Sequence, residues 1–442
     1  MDNEFKEGKE PHNAFLLLSM IIFTLGTFTL ETFISSRSIE MIYIVLTIIT
    51  LIIAYLISKK KITIYKVEIM WLFFISYFIL NMAIHEKLVI LNIIDLFSFC
   101  FMFIFLLLVK LNKKYFKISI VIILSLSIIY SFSSLFQYLN FDLYSRLILP
   151  RFSPDRAEEV WKLFSQGGYT GFTWQTAFIS GYIICGLGII ILSLKFIKNK
   201  TVRFILLLNV PIMLIALFMS GKRAHLIFMI IALLVTYIYS QGNKRIIVQI
   251  SKAIFTIIPI LILIVVSIML IGKDEEGPIN KIFIKFNDTI GGLLAGEDIT
   301  SGRIYLYDYA LKHFFENPLF GIGWREFKEI SVGVINTNSG SHPHNIYIQL
   351  LTELGIPGFI LFIIPTIYTL ILTIKLLLNY NEIFRGCSKW KFYIQFSLYI
   401  QVFFLLYGIT GNLLTDHLYL YMYVFAVAII LSAIKYSKIK KS

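Results

Sequence analysis

Twelve apolar runs, most close to 20 residues long, follow one another through this chain and constrain its fold more than any other feature. They lie at about 14–34, 39–58, 67–85, 88–109, 118–140, 171–194, 203–219, 224–240, 253–271, 355–378, 392–411 and 418–434. A helix needs about 20 apolar residues to cross roughly 30 Å of hydrocarbon, so each run predicts a transmembrane helix; 203–219 and 418–434 are at the short limit. Composition agrees. Of the 442 residues, 58% are apolar and 15% charged, whereas soluble domains run nearer about 45–50% and about 25%. A secreted disulfide scaffold, a soluble nucleotide-binding enzyme and a disordered chain are thereby excluded. The first run follows a polar, mixed-charge N-terminus without a small-residue cleavage site, so it reads as a retained span. Cys100, Cys185 and Cys387 have neither metal-ligand nor disulfide-framework spacing.

The formal charge of +14 would suggest nucleic acid in a soluble domain. Here the basic residues sit in short clusters between apolar runs, and they read as topology, not as a nucleic-acid surface. With both termini cytoplasmic, alternate loops place 25 of the 40 Lys and Arg residues inside and only six of the 26 acids, as the positive-inside rule requires. The expectation is an all-α polytopic membrane protein of about 12 transmembrane helices. It divides into N-terminal helices over 1–140, a first extracytoplasmic loop over 141–170, middle helices over 171–271, a large extracytoplasmic loop over 272–354 and C-terminal helices over 355–442.

Long loops on a rigid scaffold are where sites are presented. In the large loop, Ser301 is placed to cap a helix over 303–316, whose Ile304, Tyr307, Leu311, Phe314 and Phe315 form an apolar face suited to the membrane surface. Asn317-Pro318 stops it and Gly321-Ile-Gly323 makes a tight turn. A second helix begins near His344, runs through Glu353 and is kinked by Gly355-Ile-Pro357-Gly358.

The chemistry gathers on the predicted outer side. Lys222-Arg223 joins two spans where the topology disfavours cations; the pair suits either a phosphate-bearing head group or simple interfacial anchoring. Arg303 opens the surface helix at its positive end, where an anion is favoured. Arg146, Arg151 and Arg156 alternate with Asp155, Glu158 and Glu159, a pattern shared by anion sites and solvated faces. His342-Pro343-His344-Asn345 is the sharpest local feature. A neutral imidazole suits a general base acting on a sugar hydroxyl, and equally a cap or a surface pair. No third and fourth metal ligand stands at recognisable spacing. No phosphate-binding loop of the Lys-Ser/Thr type is present either. Glu31, Asp95, Gln137 and Gln175 fall within or beside spans, where they would line a transporter's path. Asp416-His417 in the last outer turn suits a cap, with support of a nearby site as the alternative.

Four ordered elements then carry a resemblance. Arg303-Ile-Tyr-Leu-Tyr-Asp-Tyr-Ala310, Asn317-Pro-Leu-Phe-Gly-Ile-Gly323, His342-Pro-His-Asn345 and Glu353-Leu-Gly355, preceded by Ser220-Gly-Lys-Arg-Ala224, resemble the signature of the O-antigen ligase and polymerase superfamily. The likeness covers roughly 160–360. It implies a GT-C-like, metal-independent inverting glycosyltransferase without a cofactor, acting on undecaprenyl-diphosphate-linked glycans at the outer face of the cytoplasmic membrane. It also implies that Arg223 and Arg303 hold the diphosphate and that His344 helps activate the acceptor hydroxyl. Lys222, Arg156, His342, Asn345 and Glu353 complete the substrate-binding set, with His342 an alternative to His344 as the base. Membrane lipids, a lipid-linked donor and acceptor, a chain-length regulator and a flippase are the implied partners. Lys outnumbers Arg 30 to 10, the mark of an AT-rich genome, where capsule and O-antigen polymerases of such divergence are frequent. The expected reaction is therefore polymerisation, with a ligase and a membrane transporter or flippase as the alternatives.

Overall fold

A computed structural model describes residues 11–34, 37–58, 62–86, 89–110, 113–240, 284, 302–334, 340–384 and 390–439. The ninth apolar run, Ser301 and Cys387 lie outside the described residues. The helices are α1 (Pro11–Thr29), α2 (Arg37–Ser58), α3 (Lys66–Ile84), α4 (Ile90–Leu108), α5 (Lys113–Leu139), α6 (Phe141–Leu147), α7 (Pro154–Ser165) and α8 (Thr176–Ser193). They continue with α9 (Lys200–Met219), α10 (Arg223–Ser240), α11 (Arg303–Glu316), α12 (Glu326–Ile330), α13 (Ile346–Leu378), α14 (Tyr380–Phe384), α15 (Lys391–Tyr407) and α16 (His417–Ile439). Among the described residues there is no strand beyond one isolated bridge, Thr32 to Thr173.

The protein is a polytopic, all-α membrane protein. Nine described helices are long and apolar enough to cross a membrane, fewer than the twelve expected. Two of the remaining runs are helical but shorter than their sequence suggests. α1 stops at Thr29 because the chain turns at Glu31, which takes φ 60°. α15 has 17 residues because the run after Tyr407 turns away, and the Gly408 carbonyl accepts the Ile346 amide at 2.8 Å.

Helices that are apolar all round belong at the centre of a bundle. α8 and α16 behave so, with 83% and 89% of their spanning residues buried. Their polar groups are satisfied between helices, as the absence of water demands: Ser127 Oγ on α5 donates to the Tyr182 carbonyl at 2.7 Å, and Ser397 Oγ on α15 to that of Ala426 at 2.7 Å. Cys100 and Cys185 are free thiols.

The end of α1, the starts of α4, α8 and α10, the end of α15 and the start of α16 all meet around one cavity. Helix ends bearing Lys66, Lys113, Lys200 and Lys391 lie at the other end of their helices. There Lys110 Nζ meets Glu68 Oε1 at 2.5 Å in a buried ion pair between α4 and α3. The 141–170 loop is folded as α6, a short 3-10 turn and α7 over its own small core of Tyr144, Ile148, Phe152 and Val160.

Candidate active site

The site is built on a helix that breaks. Pro357 has no amide to bond the Glu353 carbonyl, and Gly355 (φ 67°, ψ −173°) takes the chain out of helical geometry inside α13. A break buried in a bundle must find other donors for the freed carbonyls. The Pro318–Gly323 turn supplies them: Ile322 N–H donates to Thr352 O at 2.9 Å and Gly323 N–H to Glu353 O at 3.1 Å. Tyr77 OH takes Leu354 O at 2.7 Å, while Ile356 N–H donates to Pro318 O at 2.9 Å. The two strips of backbone touch. A Cβ on Gly321 would lie 2.5 Å from the Glu353 carbonyl carbon, so the turn's glycines are a packing requirement.

This joint aims the next residues. Trp324 and Arg325 leave the turn, Arg325 with a strained φ of 63°. Arg325 donates through Nε to Asp95 Oδ2 at 2.6 Å and through Nη2 to Asp95 Oδ1 at 2.9 Å. Trp324 Nε1 adds a bond to Oδ2 at 2.7 Å, and His417 Nε2 lies 3.1 Å from Oδ1. Asp95 is fully buried and is therefore an anchor with fixed partners.

At the other end of the loop, His342 and His344 precede α13, and Asn345 caps it by accepting from Tyr347 N–H at 3.0 Å and Ile348 N–H at 3.2 Å. His344 is held at φ 54°, a left-handed conformation that a non-glycine residue keeps only under tertiary constraint. Asn412 Nδ2 stands 3.1 Å from His344 Nδ1 and Ser341 Oγ 3.3 Å from Nε2. The Asn412 amide donates to Nδ1 or, turned over, accepts from it; the second arrangement leaves on Nε2 the lone pair a base requires. Arg303 donates from Nη1 to Thr410 O at 3.2 Å, so the α15–α16 loop holds both the arginine and the histidine.

These groups line one cavity of about 420 Å³. Of the residues singled out from sequence, it brings together Arg303, His344, His342, Lys222 and Arg156. Arg156 pairs with Glu31 at 3.1 Å, and its guanidinium lies 5.1 Å from the centre of the Trp174 ring. Arg223 is not among the lining residues; the cation that its turn sends into the cavity is Lys222. Nor is Asn345, whose carbonyl oxygen is used in the cap, nor Glu353, buried in α13 with Oε2 accepting from Gln349 at 2.9 Å. Gln137 is buried and caps the 170s turn, accepting from Thr170 and Gly171 at 2.8 Å each.

Sequence reading missed Arg325, Lys328 and Asn412, while Asp416 was expected as a cap or as support for a nearby site and does face the cavity. Asn412 had a signal, a polar Gly-Asn at the start of the short link between the last two apolar runs. Arg325 had none, because its significance depends on Asp95, 230 positions away.

The electrostatics follow from this crowding. Burial pushes the His344 imidazole down to about 3, aided by Arg303, His342 and Lys222. Burial with Arg325 and Lys328 takes His342 down to about 4. Both rings are neutral at pH 7. Burial, with Glu31 nearby, raises the Asp416 carboxyl to about 7 against the pull of His417, Lys222 and Arg325. Among the described residues, no group of three His, Cys, Asp or Glu side chains is placed to hold a metal ion.

Residues 208–363 match the family model described as O-antigen ligase, Wzy_C. Over this segment the chain is similar to the O-antigen ligase family. Enzymes of this family transfer lipid-linked glycans, as ligases or polymerases. No curated protein matches the chain. The matched segment contributes Lys222, Arg303, Arg325, His342 and His344 to the cavity, while Glu31, Arg156, Asn412 and Asp416 come from outside it.

Proposed function

We propose that the protein is a polysaccharide polymerase of the cytoplasmic membrane, joining undecaprenyl-diphosphate-linked repeat units. The single observation that carries this reading is the convergence of Lys222, Arg303 and His344 on one cavity. An acceptor hydroxyl oxygen attacks the anomeric carbon of the donor. The bond from that carbon to the diphosphate oxygen breaks, with inversion, and the leaving diphosphate gains negative charge. Lys222 and Arg303 stabilise that charge where it develops.

His344 takes the hydroxyl proton. Burial, and then its cationic neighbours, hold its basicity down. A bound diphosphate offsets the cationic part of that effect and raises the imidazole's basicity, so donor binding favours the base. Lys and Arg residues crowd the helix ends remote from the cavity, which supports cytoplasmic termini and an extracytoplasmic site.

The test is reconstitution. Full-length protein in nanodiscs receives lipid-diphosphate-linked repeat units from its own host, and products are resolved as a ladder. A ladder that His344→Ala erases is the expected result. No ladder, but transfer to an added lipopolysaccharide core, would establish the ligase, the second reading favoured by the family match. Neither product would return the transporter to consideration.

A further inference from the structure

The cavity holds more positive charge than the two cations of the proposed mechanism. Its lining includes Arg156, Lys222, Arg303, Arg325 and Lys328, against the carboxylates of Glu31 and Asp416. Arg156 is paired with Glu31. The cations are also held by different parts of the fold. Arg303 is fixed by the α15–α16 loop through Thr410 O, with Lys222 in the same cavity wall, whereas Arg325 is fixed from α4 by Asp95, with Lys328 close by in sequence on α12.

Arg325 is built for a ligand. Two of its five N–H groups are spent on Asp95, in a side-on fork that fixes the plane of the guanidinium. The other three have no protein partner among the described residues, and the side chain remains 19% exposed, within the cavity wall. Asp95 is itself locked by Trp324 and His417, so the orientation is set before any ligand arrives. A strained backbone at Arg325 is the cost of that placement. His342 adds a buried Nδ1 with no partner.

We propose that Arg325, Lys328 and His342 form a second anion subsite in the cavity, so that the two phosphate groups of one diphosphate are held separately. Lys222 and Arg303 hold one, and Arg325 with Lys328 holds the other. Asp95 is a positioning residue that acts through Arg325. This rests on the reading of the cavity as a diphosphate site, but its test does not need glycosyl transfer.

The test is binding of inorganic pyrophosphate and of inorganic phosphate to the full chain in phosphatidylcholine nanodiscs, followed by calorimetry. Wild type is expected to bind pyrophosphate at least about tenfold more tightly than phosphate, because charge-assisted bonds at the second subsite add to the first. Lys328→Ala, an exposed substitution, should narrow that ratio several-fold. Arg325→Gln alone strands a buried Asp95, so the paired Asp95→Asn/Arg325→Gln variant is also measured, with its melting temperature. It should abolish the preference for pyrophosphate while leaving phosphate affinity within about threefold. Equal loss of both ligands, or an unchanged ratio in the two variants, overturns the second subsite. A wild type that binds neither ligand overturns the diphosphate reading itself. If phosphatidylglycerol in the nanodisc displaces pyrophosphate, the subsite belongs to a lipid head group and the proposal is overturned.

Discussion

The Cα of Gly355 faces the Leu319 carbonyl so closely that a Cβ there would sit 2.3 Å from its oxygen. This contact clamps the Pro318–Gly323 turn to the break in α13 and so fixes where Arg325 emerges. Gly355→Ala would add that overlap to the strain of a positive φ, which alone costs about 1–3 kcal/mol. The variant should be recovered from the membrane in reduced amount and should melt several degrees lower, read by thermal aggregation in detergent. An unchanged melting point would show that the turn and the break are not mechanically joined.

Asn345 and His344 are adjacent but should separate cleanly by substitution. Asn345→Ala removes an N-cap and should cost about 1 kcal/mol of stability, with Asn345→Ser restoring most of it and activity of the folded fraction largely kept. His344→Ala removes the base, and should lower kcat by about 10²–10⁴ with little change in melting. Equal activity losses at the two positions would contradict this division.

Arg303→Ala should depress kcat by about 10²–10³, the usual effect of deleting one donor aimed at developing charge. Arg223→Ala, outside the cavity lining, should fall far short of that. Single-turnover assays with the same donor decide between them.

Asp416, raised to about 7, gives a pH dependence of known sign. Below that value the carboxyl is neutral, and above it a negative charge stands in the cavity that receives the diphosphate. The KM for donor should therefore rise as pH passes upward through about 7, and Asp416→Asn should flatten the rise. Persistence of the same rise in the Asn variant would assign it elsewhere.

At the opposite end of the bundle, Glu68 and Lys110 are paired at 2.5 Å with side chains 0% and 3% exposed. Lys110→Met leaves the carboxylate buried and unpaired, a change that typically costs about 3–5 kcal/mol. The double variant Glu68→Gln/Lys110→Met should recover much of the lost stability, since both charges go together. A more severe loss in the double variant would contradict this account.

Much of this protein was readable before any coordinates. Apolar runs near the thickness of a bilayer fixed the helical architecture, because lipid leaves the backbone no alternative. Lysine clusters marked alternate helix ends, and they are the basis of the expected orientation. The order of Arg303, Gly321, His344 and Gly355 pointed to the ligase segment. Helix lengths were less legible. α1 and α15 stop early because Glu31 and Gly408 are drawn into partners far along the chain. Hydrophobicity continues past those points, but the helix does not.

The choice of working side chains was decided only in three dimensions. Lys222 and Arg223 are adjacent and chemically alike, yet one lines the cavity and the other does not. Lys222 stands in the turn before α10, and Arg223 is the first residue of the helix. Glu353 looked like a binding carboxylate and is a buried partner of Gln349. Arg325 carries no local signal and is gripped by Asp95 from α4. Local sequence determines which segments cross the membrane, since crossing is a property of about 20 consecutive residues. A site assembled from many helix ends and the loops between them depends on pairings between positions hundreds of residues apart, and only the packed bundle specifies those.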